Sequence, residues 1–313
     1  MGTNAVKTRL HVSEIQGMEI EFTGVCNLRC PLCTRNYHHA SHIIKKNVRP
    51  LSEIKKQMDI FTGLKTFFLA GVVSEPTLYP EFFELIEYLQ SRNIKVQLYS
   101  NGSVHDTDWW YKLGTIMNKE NTCCFTVCGS TQELHAKYRI GSSLDKILQN
   151  AEAFRQGSGD KKNDLIQHIL FEYNKEDFVS DRMQDIISQF SSTRHCESEG
   201  VRSINDYIVP FNRDEIRPVK QRDDIIKALF KNKYTSGEIL CHANMHRKVF
   251  IDQYGRIYSC YSLAEYDEYN ILEIDDDGFF DYTDILSHSY DECFKCDRKT
   301  KYFIDKLDLD FLC

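Results

Sequence analysis

An α/β protein built on a parallel sheet is the fold that this sequence predicts. Three observations point to it. Short strand-like runs alternate with helical ones from about residue 17 to 210. The first of these runs, residues 18–22, alternates apolar and polar side chains with period two. A chain of 313 residues is also long enough for one large domain plus a small one.

The elements follow in order. Residues 18–22 form the first strand and run straight into a cysteine. A helix follows Ser52, whose hydroxyl has cap chemistry. Residues 66–70 make the second strand and 81–90 an amphipathic helix; residues 94–99 and then 106–117 make the third pair. The fourth strand is 122–128, and Ser142 and Asp145, spaced as a capping box, open a helix that runs to Phe154. Residues 166–171 form a fifth strand, 177–190 a helix and 203–209 a sixth strand. Such alternation calls for right-handed crossovers. Six units fall short of a closed eight-stranded barrel, and periodicity alone equally allows an open doubly wound sheet. The chain divides into an N-terminal tail (1–16), the β/α core (17–212), a charged helical connector (213–233) and a cysteine-bearing C-terminal domain (234–313).

Net charge of −7 offers no broad cationic field to recruit a nucleic acid, so none is expected as a partner. The longest apolar stretch, residues 67–73, is far short of the roughly 20 residues that cross a bilayer as a helix, so no membrane partner is expected either. The first residues hold no apolar signal core and no Ser or Thr at position 6 for myristoylation. The expectation is a cytoplasmic chain, in which the sequon Asn101-Gly102-Ser103 is a chance match.

Twelve cysteines in a reducing compartment read as ligands or reactive thiols rather than disulfides. Seven fall in motif positions: Cys26, Cys30, Cys33, Cys241, Cys260, Cys293 and Cys296. The others are Cys123, Cys124, Cys128, Cys196 and Cys313; a lone cysteine is usually a small buried hydrophobe. Cys313 is a spare ligand or part of a frayed terminus.

Cys26-Asn27-Leu28-Arg29-Cys30-Pro31-Leu32-Cys33 is a C-x3-C-x2-C triplet. Three thiolates so close can grip one iron–sulfur cluster and leave its fourth iron open. This spacing resembles the signature of the radical S-adenosylmethionine (radical SAM) superfamily. The resemblance implies a partial (β/α)6 TIM-like barrel, a [4Fe-4S] cluster on Cys26, Cys30 and Cys33, and SAM bound at the open iron by loops at the strands' C-terminal ends.

Counterparts of those loops occur in the expected order. Leu32 stands where many relatives pack an aromatic residue on the adenine. Val73-Ser74-Glu75-Pro76 stands where many read Gly-Gly-Glu-Pro, which implies Ser74 and Glu75 for the methionine ammonium. Ser100 and Asn101, in Tyr99-Ser100-Asn101-Gly102, match the turn that holds the ribose hydroxyls. Thr126 and Arg139 match the residues that hold the SAM carboxylate. Cys128 replaces an Asp of that pattern, either as a hydrogen-atom donor to a substrate radical at the barrel mouth or as a neutral packing substitution.

Cys241, Gly255, Cys260, Cys293 and Cys296 give C-x13-G-x4-C followed by C-x2-C, with Gly255 turning a hairpin between residues 249–252 and 256–259. This resembles the twitch form of the SPASM extension, which implies one auxiliary [4Fe-4S] cluster. A four-cysteine zinc site is the other reading of the same ligands.

The resemblance implies an oxidoreductase-type enzyme that cleaves SAM reductively and uses the 5′-deoxyadenosyl radical to take a hydrogen atom from an unreactive carbon. A flavodoxin- or ferredoxin-type protein would supply the electron. The segment ahead of the first strand is short for a leader-peptide-binding domain. The expectation is therefore a small polar substrate, sugar- or aminocyclitol-like, that is oxidised or epimerised. A peptide that is crosslinked or epimerised, and a non-catalytic iron–sulfur or zinc module, are the alternatives. His38, His39 and His42 read as a solvated loop, Trp109-Trp110 as helix packing, and Asp275-Asp276-Asp277 as an exposed turn.

Overall fold

The computed structural model describes residues 9–36, 48–197, 199–200, 220–221, 247–259 and 271–281. The described fold already includes residues ahead of the predicted core. Leu10, Val12 and Ile15 are buried, and β1 (Arg9–His11) pairs antiparallel with β12 (Phe279–Asp281). Residues 9–16 are thus part of the fold and not of a tail.

The main sheet holds β2 (Gly17–Ile20), β3 (Thr66–Leu69), β4 (Lys95–Ser100), β5 (Thr122–Val127), β6 (Asp164–Leu170) and β7 (Ser192–Glu197), parallel and in chain order. On its other side β2 pairs in parallel with β10 (Lys248–Ile251), which turns through Gly255 into antiparallel β11 (Ile257–Tyr258). The predicted hairpin is present, and it extends the core sheet. The short strands β8 (Glu199–Gly200) and β9 (Lys220–Gln221) pair separately. Strand six of the series is β7, which sequence reading passed over; residues 203–209 lie outside the described residues.

Between strands run α1 (Leu51–Asp59), α2 (Phe82–Ser91), α3 (Thr107–Ile116), α4 (Gln132–Tyr138), α5 (Leu144–Ser158) and α6 (Asp181–Ser188). Three starts differ from expectation, because a cap is set by backbone geometry as well as residue type. α1 begins ahead of Ser52, capped by Pro50, with the Leu51 N–H donated to the Glu81 carboxylate at 2.9 Å. α5 is capped by Ser143, whose neighbour Ser142 turns its hydroxyl to His135 instead. The segment after β6 opens as a single 3-10 turn, Asp177–Val179, before Ser180 caps α6. Helix α4 was not anticipated.

Apolar faces of α1, α2, α3, α5 and α6 meet alternate strand residues, among them Ile20, Leu69, Leu98, Phe125 and Ile166, in one continuous core. A doubly wound sheet would divide its helices between both faces, so that alternative is set aside. The intervening strand residues, including Tyr99, Cys124, Thr126 and Gln167, point to the opposite face. Trp110 is fully buried in the core, its indole N–H on the Val104 carbonyl at 2.9 Å. Asp275 is an exposed turn residue that accepts the N–H groups of Asp277 and Phe279 and pairs with Arg9. Among the described residues no helix is long and apolar enough to cross a membrane. His38, His39, His42, the connector 213–233, Cys241, Cys260, Cys293, Cys296 and Cys313 lie outside the described residues.

Candidate functional site

Parallel strands deliver their following loops to one end of the sheet, and there the sequence-predicted residues gather. The loop after β2 carries the three cysteines. Cys26 Sγ accepts the Leu28 N–H at 3.4 Å and lies 4.0 Å from Asn101 Nδ2, while the Cys33 N–H reaches the Cys30 carbonyl at 3.1 Å. Burial pushes each thiol up to about 11, and charges on the neighbouring cysteines of the triplet push the same way.

Three desolvated thiols side by side are poor company for one another as bare thiolates. A metal takes them as thiolates and releases the protons. Among the described residues no three His, Cys, Asp or Glu side chains converge as around a single ion; a four-iron cluster takes its thiolates at separate corners. An all-sulfur donor set on one short loop fits an iron–sulfur cluster.

The loop after β3 starts at Gly71, whose φ of +59° suits glycine and where a Cβ would stand 2.2 Å from the Ser74 carbonyl oxygen. Glu75 follows and is buried. Its Oε1 accepts the Thr77 N–H (3.3 Å), the Thr77 hydroxyl (2.8 Å) and the Ser100 hydroxyl (2.7 Å), and its Oε2 accepts the Asn101 N–H (2.9 Å). Its own N–H goes to the Val25 carbonyl at 2.9 Å. With most of its acceptor capacity taken, Glu75 ties three loops together. Ser74 is also engaged: its hydroxyl donates to Glu21 Oε2 at 2.5 Å, and the Val73 N–H to Glu21 Oε1 at 2.9 Å. Burial pushes the Glu21 carboxyl up to about 7 despite those bonds. Arg35 closes the turn from the other side, donating to the carbonyls of Gly24 and Val73.

Asn101 joins the loop after β4 to the cysteines. Its Oδ1 accepts from the Ser103 N–H (2.9 Å) and hydroxyl (2.7 Å), its Nδ2 donates to Asn27 Oδ1 (2.9 Å), and Asn27 Nδ2 donates to Ser103 Oγ (2.9 Å). Ser100 Oγ also accepts the Gly102 N–H at 3.0 Å.

After β5 the pattern is different. Cys128 is fully buried among Leu32, Tyr138, Ile169, Phe171 and Tyr173. Among the described residues these neighbours cover it, and the Arg139 guanidinium lies against its thiol. Its N–H reaches His135 Nδ1 at 3.3 Å, and its carbonyl accepts from Asn174 Nδ2 (2.8 Å) and the Tyr173 hydroxyl (3.3 Å). Since Nδ1 accepts, Nε2 carries the proton and donates to Ser142 Oγ at 3.0 Å. Burial pushes His135 down to about 3, with Arg139 adding to the effect, so the ring is neutral. Arg139 ends α4 and places its guanidinium against the thiols of Cys128 and Cys30. Thr126 is buried on the sheet face away from the helices.

The structure thus brings Cys26, Cys30, Cys33, Leu32, Cys128 and Arg139 into one group. Glu75, Ser100 and Asn101 form a second, joined to the first through Asn101 and Cys26. Glu21, Asn27 and His135 were not singled out from the sequence. Glu21 carried no signal in the sequence: its alternation with Phe22 reads as the polar face of a strand, and only the structure shows it buried.

The Radical SAM superfamily model matches residues 20–180, just over half of the chain. The chain belongs to the radical SAM superfamily. A stretch of 158 residues is 27% identical to an S-adenosylmethionine-dependent nucleotide dehydratase of a Thermoplasmatales archaeon (strain ISO4-H5), covering 49% of this chain and 53% of that protein. A stretch of 102 residues is 33% identical to the GTP 3′,8-cyclase of Haemophilus ducreyi, covering 31% of this chain and 29% of that one. The match therefore spans about half or less of each curated relative. Among solved structures, Streptococcus suis SuiB bound to its precursor peptide SuiA superposes with a TM-score of 0.57 at 14% identity, covering 82% of this radical SAM chain and 62% of SuiB. AdoMet-bound anSMEcpe superposes at 0.53 and 18% identity, with 92% and 79% covered. These likenesses concern the fold.

Proposed function

We propose that this chain is a radical SAM enzyme acting on a small polar, sugar-bearing or aminocyclitol-like substrate, which it oxidises or epimerises. The observation that carries this reading is the three-cysteine loop, in which Cys30 is buried and Cys26 and Cys33 are half-buried, with the Arg139 guanidinium beside Cys30 and Cys33. Cys26, Cys30 and Cys33 would hold the [4Fe-4S] cluster. Asn101 positions Cys26, and Arg139 receives the SAM carboxylate as a fixed fork. Ser74 and Glu75 serve SAM through the turn they shape, which leaves backbone carbonyls to meet the methionine ammonium. Ser100 and Asn101 present the ribose turn, Leu32 packs on the adenine, and Thr126 lies on the same face. When bound, the reduced cluster supplies one electron, which splits SAM into methionine and a 5′-deoxyadenosyl radical.

The partial-barrel closure, and an auxiliary twitch-type [4Fe-4S] cluster on Cys241, Cys260, Cys293 and Cys296, belong to the same proposal, as does a flavodoxin- or ferredoxin-type electron donor. The nucleotide dehydratase and the GTP cyclase add nucleotides to the substrate class, since a nucleotide is itself a polar, sugar-bearing molecule. A precursor peptide, as in SuiB, is the second reading, supported by shared fold alone.

The test is anaerobic reconstitution followed by iron and sulfide counting and a search for 5′-deoxyadenosine after adding SAM and reductant. Two clusters give roughly eight irons, and Ala at Cys26, Cys30 and Cys33 removes about half together with all cleavage. Zinc in place of iron, or iron without cleavage, refutes the enzyme.

A further inference from the structure

The turn after β3 departs from the Gly-Gly-Glu-Pro of many relatives, with Val73 and Ser74 in place of the two glycines. Both replacements are tied down. Val73 is fully buried, and its N–H donates to Glu21 Oε1 at 2.9 Å. The Ser74 hydroxyl donates to Glu21 Oε2 at 2.5 Å. One carboxyl group therefore receives a backbone donor and a side-chain donor from the substituted pair.

Glu21 reaches the turn from just beyond β2. Its N–H continues the ladder to the Ile251 carbonyl of β10 at 2.9 Å, and Phe22 after it stacks on Phe67 and Tyr79 in the core. Alternation sends Glu21 to the opposite face, where it is buried. Arg35, two residues past Cys33, holds the same turn by donating to the Val73 carbonyl. The Val73 N–H and C=O belong to successive peptide planes, so Glu21 fixes one plane and Arg35 the next. The peptide between Val72 and Val73 is trans, so its carbonyl points opposite to the N–H and is turned away from Glu21.

We propose that Glu21 is a positioning residue for SAM: paired with Ser74, it sets the backbone of residues 72–74 so that the Val72 carbonyl meets the methionine ammonium. The Glu21–Ser74 pair is then this chain's replacement for the two glycines. This rests on the radical SAM reading and deepens it by naming what orients the ammonium's acceptor. Arg35 already occupies the Val73 carbonyl, so the Val72 carbonyl is the acceptor that the clamp presents. Glu21 acts through the turn. A backbone fixed before SAM arrives spares binding the cost of ordering it.

The experiment titrates SAM into the anaerobically reconstituted full chain, by calorimetry and by the change SAM makes in the electron paramagnetic resonance signal of the reduced cluster. Glu21→Ala raises the dissociation constant about tenfold and Ser74→Ala about threefold, since each loses bonds that hold the turn. Glu21→Gln keeps an acceptor for the Val73 N–H and turns an amide donor to the Ser74 oxygen, so it binds within about twofold of the wild type. Because the two residues act as one unit, the double alanine variant binds no more weakly than Glu21→Ala. A merely structural role lowers Tm and leaves both SAM titrations where they were, which overturns the proposal. A Glu21→Gln protein as weak as Glu21→Ala, or losses that add in full, overturns it too. Should Glu21→Ala not fold, Ser74→Ala carries the test, and wild-type affinity there is the refuting result. A wild type that binds no SAM defeats the radical SAM reading, whereas binding that survives Glu21→Ala defeats this inference alone.

Discussion

Glu75→Gln separates a framework carboxylate from a cofactor ligand. Four donors converge on Glu75: the Thr77 N–H and hydroxyl and the Ser100 hydroxyl on one oxygen, and the Asn101 N–H on the other. The amide keeps one acceptor oxygen and turns its NH2 toward a donor, so at least the Asn101 N–H loses its partner in a buried site. A hydrogen bond to a charged group contributes about 1.5–3 kcal/mol, and the remaining bonds weaken with the loss of charge. The substitution should therefore cost about 3 kcal/mol, which lowers Tm by roughly 4–6 °C for a chain of 313 residues. Thermal unfolding of the iron-free protein, followed by circular dichroism, reads this without any cofactor present. A Tm within about 2 °C of the wild type, together with a SAM affinity that drops tenfold, would refute the framework role and return Glu75 to the ammonium.

Other outcomes follow from the same loops. The Glu21 carboxyl is raised from 4.5 to about 7, so the native state holds its proton more tightly than the unfolded chain does. Its contribution is complete below about pH 4.5 and is lost as pH rises through 7, which amounts to roughly 3 kcal/mol. Urea unfolding of wild type and Glu21→Gln across pH 4.5–8 should show the wild type losing that much relative to the variant; parallel curves would contradict it. His135, lowered from 6.5 to about 3, loses stability in the opposite direction, as pH falls below 6.5, and cancels in that difference because both proteins carry it. Gly71→Ala forces a Cβ to 2.2 Å from the Ser74 carbonyl oxygen at positive φ, and should cost about 1–3 kcal/mol and weaken SAM binding; an unchanged dissociation constant counts against the turn. Cys128→Ala removes a buried sulfur at a cost of about 1 kcal/mol by urea unfolding. Undiminished turnover in that variant eliminates the hydrogen-donor role for its thiol.

The β/α order and the cysteine loop were legible because both are local. Period-two runs such as residues 18–22 mark strands, and three thiols within eight residues have few other uses. What stayed hidden is non-local. Ser142 and Ser143 are equivalent as cap candidates, and only the position of His135 decides between them. Glu75 matched a ligand position, yet Ser100 and Asn101 fill its oxygens from another strand. Residues 192–197 include Arg194, His195 and Glu197, polar enough to hide β7, which is paired through its backbone with β6. The doubly wound alternative could be dismissed only when the helices were seen to share one face.

The hairpin of β10 and β11 bears on how this chain can be cut. A fragment ending at residue 212 would strip β10 from β2 and Phe280 from Leu10, leaving a bare row of backbone donors and acceptors next to the cysteine loop. Such an exposed edge invites a second molecule to pair with it. Expression of the β/α units alone should therefore give aggregates, however sound the remaining strands.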